Sequence, residues 1–266
     1  MKQWQLTPDR TPAEARRRWE NTKQFLTRAD YDLLVEESGI GTVDGQTKFL
    51  FLRNAFPFAA EFYKALSQLR FKPSKRANGE DLLMGYFFDH RNARRVTNDT
   101  LAHQEFYNTD LSALLSDIGL RVRRELRSYW NEQRSKARGN GEYRVPRLPA
   151  RPRPGFREDM NYKLWIHSQR DFLREFPLES IFSTVQINRS APFLPHQDAK
   201  NEGGLACLMA FGEFTGGDFC LPRLRVAFRL RPGDLLIADN NHEYHGNVGA
   251  IYGDRISLVA FRRSVP

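Results

Sequence analysis

The sequence predicts an α+β chain, a double-stranded β-helix (jelly-roll) core flanked by N-terminal helices. Three observations carry that expectation. From about Tyr162 onward, short apolar runs alternate with turns containing Gly and Pro, a pattern that suits a sandwich or barrel. Before that point, apolar residues recur every three or four positions, as on amphipathic helices. The 266 residues, 40% hydrophobic with 20 Phe, supply one sizeable core. The expected organisation is a single domain over 1–266. Residues 1–133 form a mostly helical support, 134–160 a basic Pro/Gly-rich loop, and 161–266 the jelly-roll core.

Taken in order, Thr11-Pro12-Ala13-Glu14 reads as a capping box with Pro at the first helical position, opening a helix over 12–28. A second short helix over 30–37 is closed by Gly39. Residues 48–52 read as a strand, and 58–69 as a helix through Phe62, Ala65, Leu66 and Leu69. Residues 82–88 fit a strand, and equally a loop over a site. Asp110 is expected to cap a longer helix whose stripe is Leu111, Leu114, Ile118, Val122, Leu126 and Trp130, with Arg121, Arg124 and Arg127 off that stripe. Gly139, Gly141, Pro146, Pro149, Pro152, Pro154 and Gly155 forbid a regular helix over 135–157, leaving an extended loop. Residues 182–188 read as a strand, with Gln186 and Asn188 facing a pocket. Residues 213–218 look like a hairpin connection. Further strands are expected over 226–230, 235–238 (after the turn Arg231-Pro232-Gly233-Asp234) and 255–262.

The net charge of +9 is concentrated. Between Arg121 and Arg157 twelve Lys/Arg face three acids, while the other 29 basic and 29 acidic residues balance. The plain reading of this segment is a solvated linker. The functional one is an arm that grips a phosphate backbone, through Arg134, Lys136, Arg138, Arg144, Arg147, Arg151 and Arg153. No apolar run reaches membrane-spanning length, and the opening residues lack the apolar segment of a signal peptide. Cys207 and Cys220 are the only cysteines, too few for a disulfide scaffold or a Cys-based metal site. Cys207, in an apolar run, is expected to be a reduced core thiol. An intracellular protein without membrane contact is expected, and it is taken as a monomer.

The chemistry is concentrated near the C-terminus. His196 and Asp198, at i and i+2, share one face of an extended segment and can reach one metal. The third ligand must come from Asp239-Asn240-Asn241-His242-Glu243-Tyr244-His245-Gly246. His245 is preferred, because it precedes a glycine that lets the backbone approach closely and lies ten residues before Arg255. His242 is the reserve choice, or a group that orients a ligand. Arg255 and Ser257, again at i and i+2, offer a planar fork and a hydroxyl for a carboxylate. Two His and one carboxylate, with an Arg following, make the ligand pattern of a non-haem Fe(II) oxygenase that uses 2-oxoglutarate and O2. His-x-Asp alone arises often by chance, and Arg255 alone reads as a solvated charge, but order, spacing and strand context agree jointly. No His-Glu-x-x-His helix supports a zinc hydrolase.

These residues resemble the TET/JBP family of Fe(II)/2-oxoglutarate-dependent dioxygenases, most of all its compact fungal members. The resemblance rests on Gln186-Ile187-Asn188 through Pro195-His196-Gln197-Asp198, Gly216-Gly217-Asp218, Arg231-Pro232-Gly233-Asp234, His245-Gly246-Asn247 and Gly253-Asp254-Arg255-Ile256-Ser257-Leu258, roughly the C-terminal third to half of the chain. The His-x-Asp…His…Arg set is common to the whole oxygenase superfamily, and His-Gly-Asn and Arg-x-Ser are more restrictive. The long cysteine-rich extension of animal TET enzymes has no counterpart here. The resemblance implies Fe(II) on His196, Asp198 and His245. It implies 2-oxoglutarate held at its distal carboxylate by Arg255 with help from Ser257, and Asn188 as a further contact. It also implies a DNA partner, a nuclear location, and oxidation of 5-methylcytosine to 5-hydroxymethylcytosine and further products. The alternatives are another methylated base (N6-methyladenine, thymine), RNA, protein or a small molecule, or a non-catalytic nucleic-acid-binding module.

Overall fold

Strand-forming segments from both ends of the chain meet in one sheet. The computed structural model describes residues 1–74, 79–88, 94–129, 131, 182, 184–198 and 205–262. The chain divides into two units, Met1–Leu82 with Val185–Ser264, and Leu83–Thr184 with Val265–Pro266. The first unit begins with β1 (Lys2–Gln5), α1 (Pro12–Trp19), β2 (Leu33–Val35), β3 (Gly39–Val43), β4 (Gln46–Leu52), α2 (Ala59–Ser67), β5 (Lys72–Pro73) and the start of β6 (Glu80–Phe88). The second unit continues β6 and adds β7 (Arg94–Val96), α3 (Asn98–Ala102), α4 (Gln104–Phe106) and α5 (Ser112–Glu125). The first unit is then completed by β8 (Thr184–Arg189), β9 (Leu205–Leu221), β10 (Val226–Phe228), β11 (Leu235–Asp239) and β12 (Gly246–Phe261).

Across the first unit the strand order is β1-β3-β4-β11-β9-β12-β8. The pairs β3–β4, β4–β11, β11–β9 and β9–β12 are antiparallel, and β1 joins β3 in parallel. The N-terminal region is therefore not only helical support, since β1, β3 and β4 are part of this sheet. In place of the helix expected over 30–37, Leu33–Val35 forms a strand. Leu33, Leu34 and Val35 pair in parallel with Val226, Ala227 and Phe228, and the amides of Asp32 and Leu33 both donate to the Arg225 carbonyl. A tertiary partner almost two hundred residues away overrides local propensity here. The capping box of α1 is present, with Thr11 Oγ1 accepting from the Glu14 amide at 3.3 Å and Glu14 accepting from the Thr11 amide at 2.8 Å. The helix nevertheless ends at Trp19. Asn21 turns left-handed (φ 66°), and the chain runs on to bridge Leu26 to Val248.

Two more expectations change. Residues 213–218 are not a hairpin turn but part of the 17-residue β9. Gly216 and Gly217 take positive φ (75° and 63°) within it, opposite the register shift between Val248 and Ile251. The terminal strand expected over 255–262 is the second half of β12, which starts at Gly246.

Alternation along β9 and β10 sorts two cores to opposite faces. Phe219, Leu221, Val226 and Phe228 join Phe49, Phe51, Leu208 and Leu236 in one. Cys220 and Ala227 join Ala15, Trp19, Tyr31 and Tyr244 from α1 and neighbouring turns in the other. Both cysteines are buried free thiols, and burial raises their pKa. Phe228 is the hub of the larger core, its ring 4.7 Å from Phe49 edge-on and 6.1 and 6.2 Å from Phe51 and Phe219. Phe228→Ala is expected to destabilise the chain by about 3–5 kcal/mol, read from the denaturant midpoint.

In the second unit, β6 pairs with β7, and Thr97 caps α3 by accepting from the Thr100 amide at 3.2 Å. α5 buries Leu114, Ile118 and Val122, and Leu111 and Leu126 are buried at its ends. Its N-cap is Leu111 rather than Asp110, because a π-type turn over Tyr107–Leu111 carries the preceding helix straight into it. Arg121 pairs with Asp117 and Arg124 with Glu125, both off the apolar stripe as expected. Trp130 and the expected basic loop over 134–160 lie outside the described residues.

Candidate metal centre

His196 and Asp198 sit in an irregular extended segment after β8, where Pro192 and Pro195 remove two ladder donors. One antiparallel bridge remains: the His196 amide donates to the His245 carbonyl at 3.0 Å, and the His245 amide donates back at 2.9 Å. Gly246 allows the approach, because a Cβ there would lie 3.1 Å from both the Phe193 oxygen and the Pro195 nitrogen. Asn247 fastens the same segment. Its amide donates to the Phe193 carbonyl at 3.0 Å, and its Oδ1 accepts the Phe193 amide at 2.9 Å.

The two imidazoles are 4.3 Å apart between centroids. His196 Nδ1 lies 2.8 Å from the Leu194 carbonyl and His245 Nδ1 3.1 Å from the Glu243 carbonyl. A carbonyl only accepts, so in the neutral ring each Nδ1 carries the proton and each Nε2 has the lone pair. Those Nε2 atoms face Asp198, at 3.8 Å (His196) and 3.6 Å (His245) from its two carboxylate oxygens. The donor atoms of His196, Asp198 and His245 all lie within 4.8 Å of one another, the spacing of a metal-holding group. Burial, then the neighbouring His196, lowers the pKa of His245 to about 4, so it is neutral and ready to ligate at pH 7. Two lone pairs and one carboxylate suit the half-occupied face of a divalent ion such as Fe(II).

The structure brings His245, not His242, to this group. The His242 ring is exposed and turned to Asp239 Oδ1 at 2.8 Å, and its carbonyl accepts from Gln197 Nε2 at 2.9 Å.

Arg255 lies on β12 opposite Gly212, only 7% exposed. Its Nη1 reaches the Gly217 carbonyl at 3.5 Å, its guanidinium stands 5.6 Å over the Phe214 ring, and its Nε has no hydrogen-bond partner. Burial lowers its pKa to about 10, and it remains a cation at neutral pH. Among the described residues no carboxylate forms an ion pair with it, although the charge of Asp218 acts on it. A buried, underused guanidinium fits an incoming carboxylate. Gly217 makes its room, because a Cβ there would lie 2.5 Å from Ile251 Cγ1 and 3.0 Å from Arg255 Nη1. Ser257 is buried two residues on, opposite Ala210. Asn188 is buried on β8, the strand beside β12.

Sequence reasoning assigned no role to Asn247, yet it ties the parts together, since its Nδ2 donates to the same Gly217 carbonyl at 2.8 Å. It also missed the brace beside Arg255, where the Asp254 carboxylate accepts from Tyr63 Oη at 2.6 Å and from Arg189 at 3.1 and 3.3 Å. The three partners are scattered along the sequence, and only the position of Asn247 directly after His245-Gly246 was a usable signal. The seven residues expected to grip nucleic acid, Arg134 to Arg153, lie outside the described residues.

No protein-family model matches the chain. Over 91 residues it is 35% identical to the bifunctional helicase and thymine dioxygenase JBP2 of Leishmania infantum, and equally to that of Leishmania major. The match takes in 32% of this chain, and the chain spans 8% of the length of those curated relatives. Among solved structures, the chain is similar to NgTET1 in complex with 5mC DNA, with a TM-score of 0.56 at 17% identity over 92% of this chain and 84% of that one. That likeness is one of fold, a large, mainly antiparallel sheet. Among the described residues no helix is long and apolar enough to cross a membrane.

Proposed function

We propose that this chain is a member of the TET/JBP family of Fe(II)- and 2-oxoglutarate-dependent dioxygenases and oxidises the methyl group of a base in DNA, 5-methylcytosine first. The observation that carries the reading is the pairing of a three-donor group, both imidazoles poised to ligate, with a buried arginine that has no ion-pair partner among the described residues. In this reading the sheet is a double-stranded β-helix. His196, Asp198 and His245 hold Fe(II), and Arg255 takes the distal carboxylate of 2-oxoglutarate, with Ser257 donating beside it. Asn188 supplies a further contact. When bound, the iron supplies oxidation of a substrate methyl by O2, coupled to conversion of 2-oxoglutarate to succinate and carbon dioxide. The protein's own part is to orient the imidazoles through the Leu194 and Glu243 carbonyls and to keep Arg255 away from water. A base in duplex DNA has to be flipped out of the stack to reach such a site.

DNA as the partner is supported by the charge excess over 121–157 and by the two relatives, one named a thymine dioxygenase and the other seen with 5mC DNA. The JBP2 relatives favour a second reading in which the base is thymine. A nuclear site of action belongs to the same proposal. The deciding measurement is succinate formation with duplexes carrying 5-methylcytosine, N6-methyladenine or only unmodified bases, and with methylated RNA. Stimulation by the 5-methylcytosine duplex is expected. Turnover indifferent to every nucleic acid, in a chain that loads metal, would move the substrate to a protein or small molecule.

The basic segment has its own test. Replacing Arg144, Arg147, Arg151 and Arg153 by Gln is expected to weaken DNA binding for all sequences. It should also make the slope of log affinity against log salt shallower by about one unit per lost phosphate contact. Wild-type affinity and slope would leave the segment a solvated linker.

A further inference from the structure

The turn over 239–245 carries three backbone acceptors that all serve the metal centre. The Asn240 carbonyl accepts the Asp198 amide at 3.0 Å, the His242 carbonyl accepts Gln197 Nε2 at 2.9 Å, and the Glu243 carbonyl accepts His245 Nδ1–H at 3.1 Å. One turn thus orients two of the three ligands, Asp198 and His245, and Gln197 beside the first. Its shape is set by two acids. Asp239 Oδ1 accepts the His242 amide at 3.2 Å, and its carbonyl accepts the Glu243 amide at 3.1 Å. Glu243 itself is fully buried.

Two cations from distant parts of the chain hold those acids. Lys48, on β4, places Nζ 2.8 Å from Asp239 Oδ2 and 3.6 Å from Glu243 Oε1. Arg223, in the short helical turn after β9, donates from Nε to Glu243 Oε2 at 2.7 Å and from Nη2 to Oε1. All four side chains are nearly or fully withdrawn from water, and their formal charges cancel. Networks of this kind are a weak route to stability, because apolar replacements of similar volume often do as well. They do fix geometry, since each partner has one low-energy position.

We propose that Lys48 and Arg223 are positioning residues for the metal centre. Acting through Asp239 and Glu243, they lock the 239–245 turn, and its carbonyls then aim the His245 imidazole and seat the Asp198 backbone. The inference rests on the assignment of His196, Asp198 and His245 as the metal group.

The test is Co(II) binding to the whole chain, followed by the visible d–d absorption of the bound ion and by calorimetry, without turnover. Lys48→Met and Arg223→Met are each expected to weaken Co(II) binding about 10- to 100-fold, the range for outer partners of metal ligands, and to shift the d–d band. Lys48→Arg, which keeps the charge, is expected to restore most of the affinity. Arg53→Met is the control. It removes a cation from another buried pair, with Asp234 at 2.7 Å, that sets the turn before β11, and its Co(II) affinity should match the wild type. Unchanged affinity and band in both Met variants would overturn the proposal, as would an equal loss in Arg53→Met. Failure of Lys48→Met or Arg223→Met to fold in the metal-free state, by circular dichroism, would make the network a general element of the fold and also overturn it. Absence of Co(II) binding by the wild-type chain would instead strike the metal assignment itself.

Discussion

His245→Ala is expected to abolish 2-oxoglutarate turnover while the metal-free chain still folds. The ring is a ligand in the proposed centre, its Nε2 lone pair held toward Asp198 by the hydrogen bond from Nδ1 to the Glu243 carbonyl. Losing a ligand should exceed the roughly 10- to 100-fold effect of losing an outer partner. The fold should survive, because the substitution removes one ring near Phe219 and leaves no buried charge behind. A stability loss of about 1–3 kcal/mol, read from the denaturant midpoint, is expected. His242→Ala should retain turnover, since that ring is exposed and turned to Asp239. Activity kept in His245→Ala and lost in His242→Ala would exchange the two assignments.

Arg255 should separate co-substrate binding from metal binding. In Arg255→Lys a point charge replaces a planar fork, and apparent 2-oxoglutarate affinity is expected to fall about 10- to 100-fold, the equivalent of a charged hydrogen bond, with metal affinity unchanged. Arg255→Met goes further. It should remove measurable 2-oxoglutarate binding, yet leave the chain without ligands at least as resistant to urea as the wild type. The reason is the native state itself, where among the described residues the buried cation has an Nε with no hydrogen-bond partner and a long contact to Gly217. A marked loss of stability in Arg255→Met would mean that the guanidinium is already satisfied, and the carboxylate-clamp role would fall with it.

The metal group was legible in the sequence because its geometry is local at each end. His196 and Asp198 are two residues apart, and Gly246 after His245 marks a close backbone approach that the structure shows against Phe193 and Pro195. The strand before His196 ends at Arg189 for a reason also written in the chain, the prolines at 192 and 195. The long-range pairings were hidden. Leu33-Leu34-Val35 becomes a strand only because Val226-Ala227-Phe228 lies beside it, and β1, four residues with one aromatic, becomes a strand only against β3. Gly216-Gly217 looked like a turn because positive φ is usually spent on one, whereas here it bends a continuous strand and clears space for Arg255. The Lys48–Asp239 and Arg223–Glu243 pairs had no sequence signature, since nothing in a charged residue's neighbours tells which distant charge it will meet.

The reciprocal contact of His196 and His245 also bears on how the centre loads. Its two hydrogen bonds join an irregular segment to a turn, with the bonds of Asn247 to Phe193 and of Asp198 to Asn240 beside them, so an opening equilibrium below that of the sheet is expected. Metal meets a complete set of donors only in the closed fraction, so the measured dissociation constant is the intrinsic one divided by that fraction. The two amides act as built-in gauges of it. In hydrogen exchange they should become protected together as metal is added, while the amides paired between β9 and β12 at Leu208 and Val259 keep the slow rates they had before.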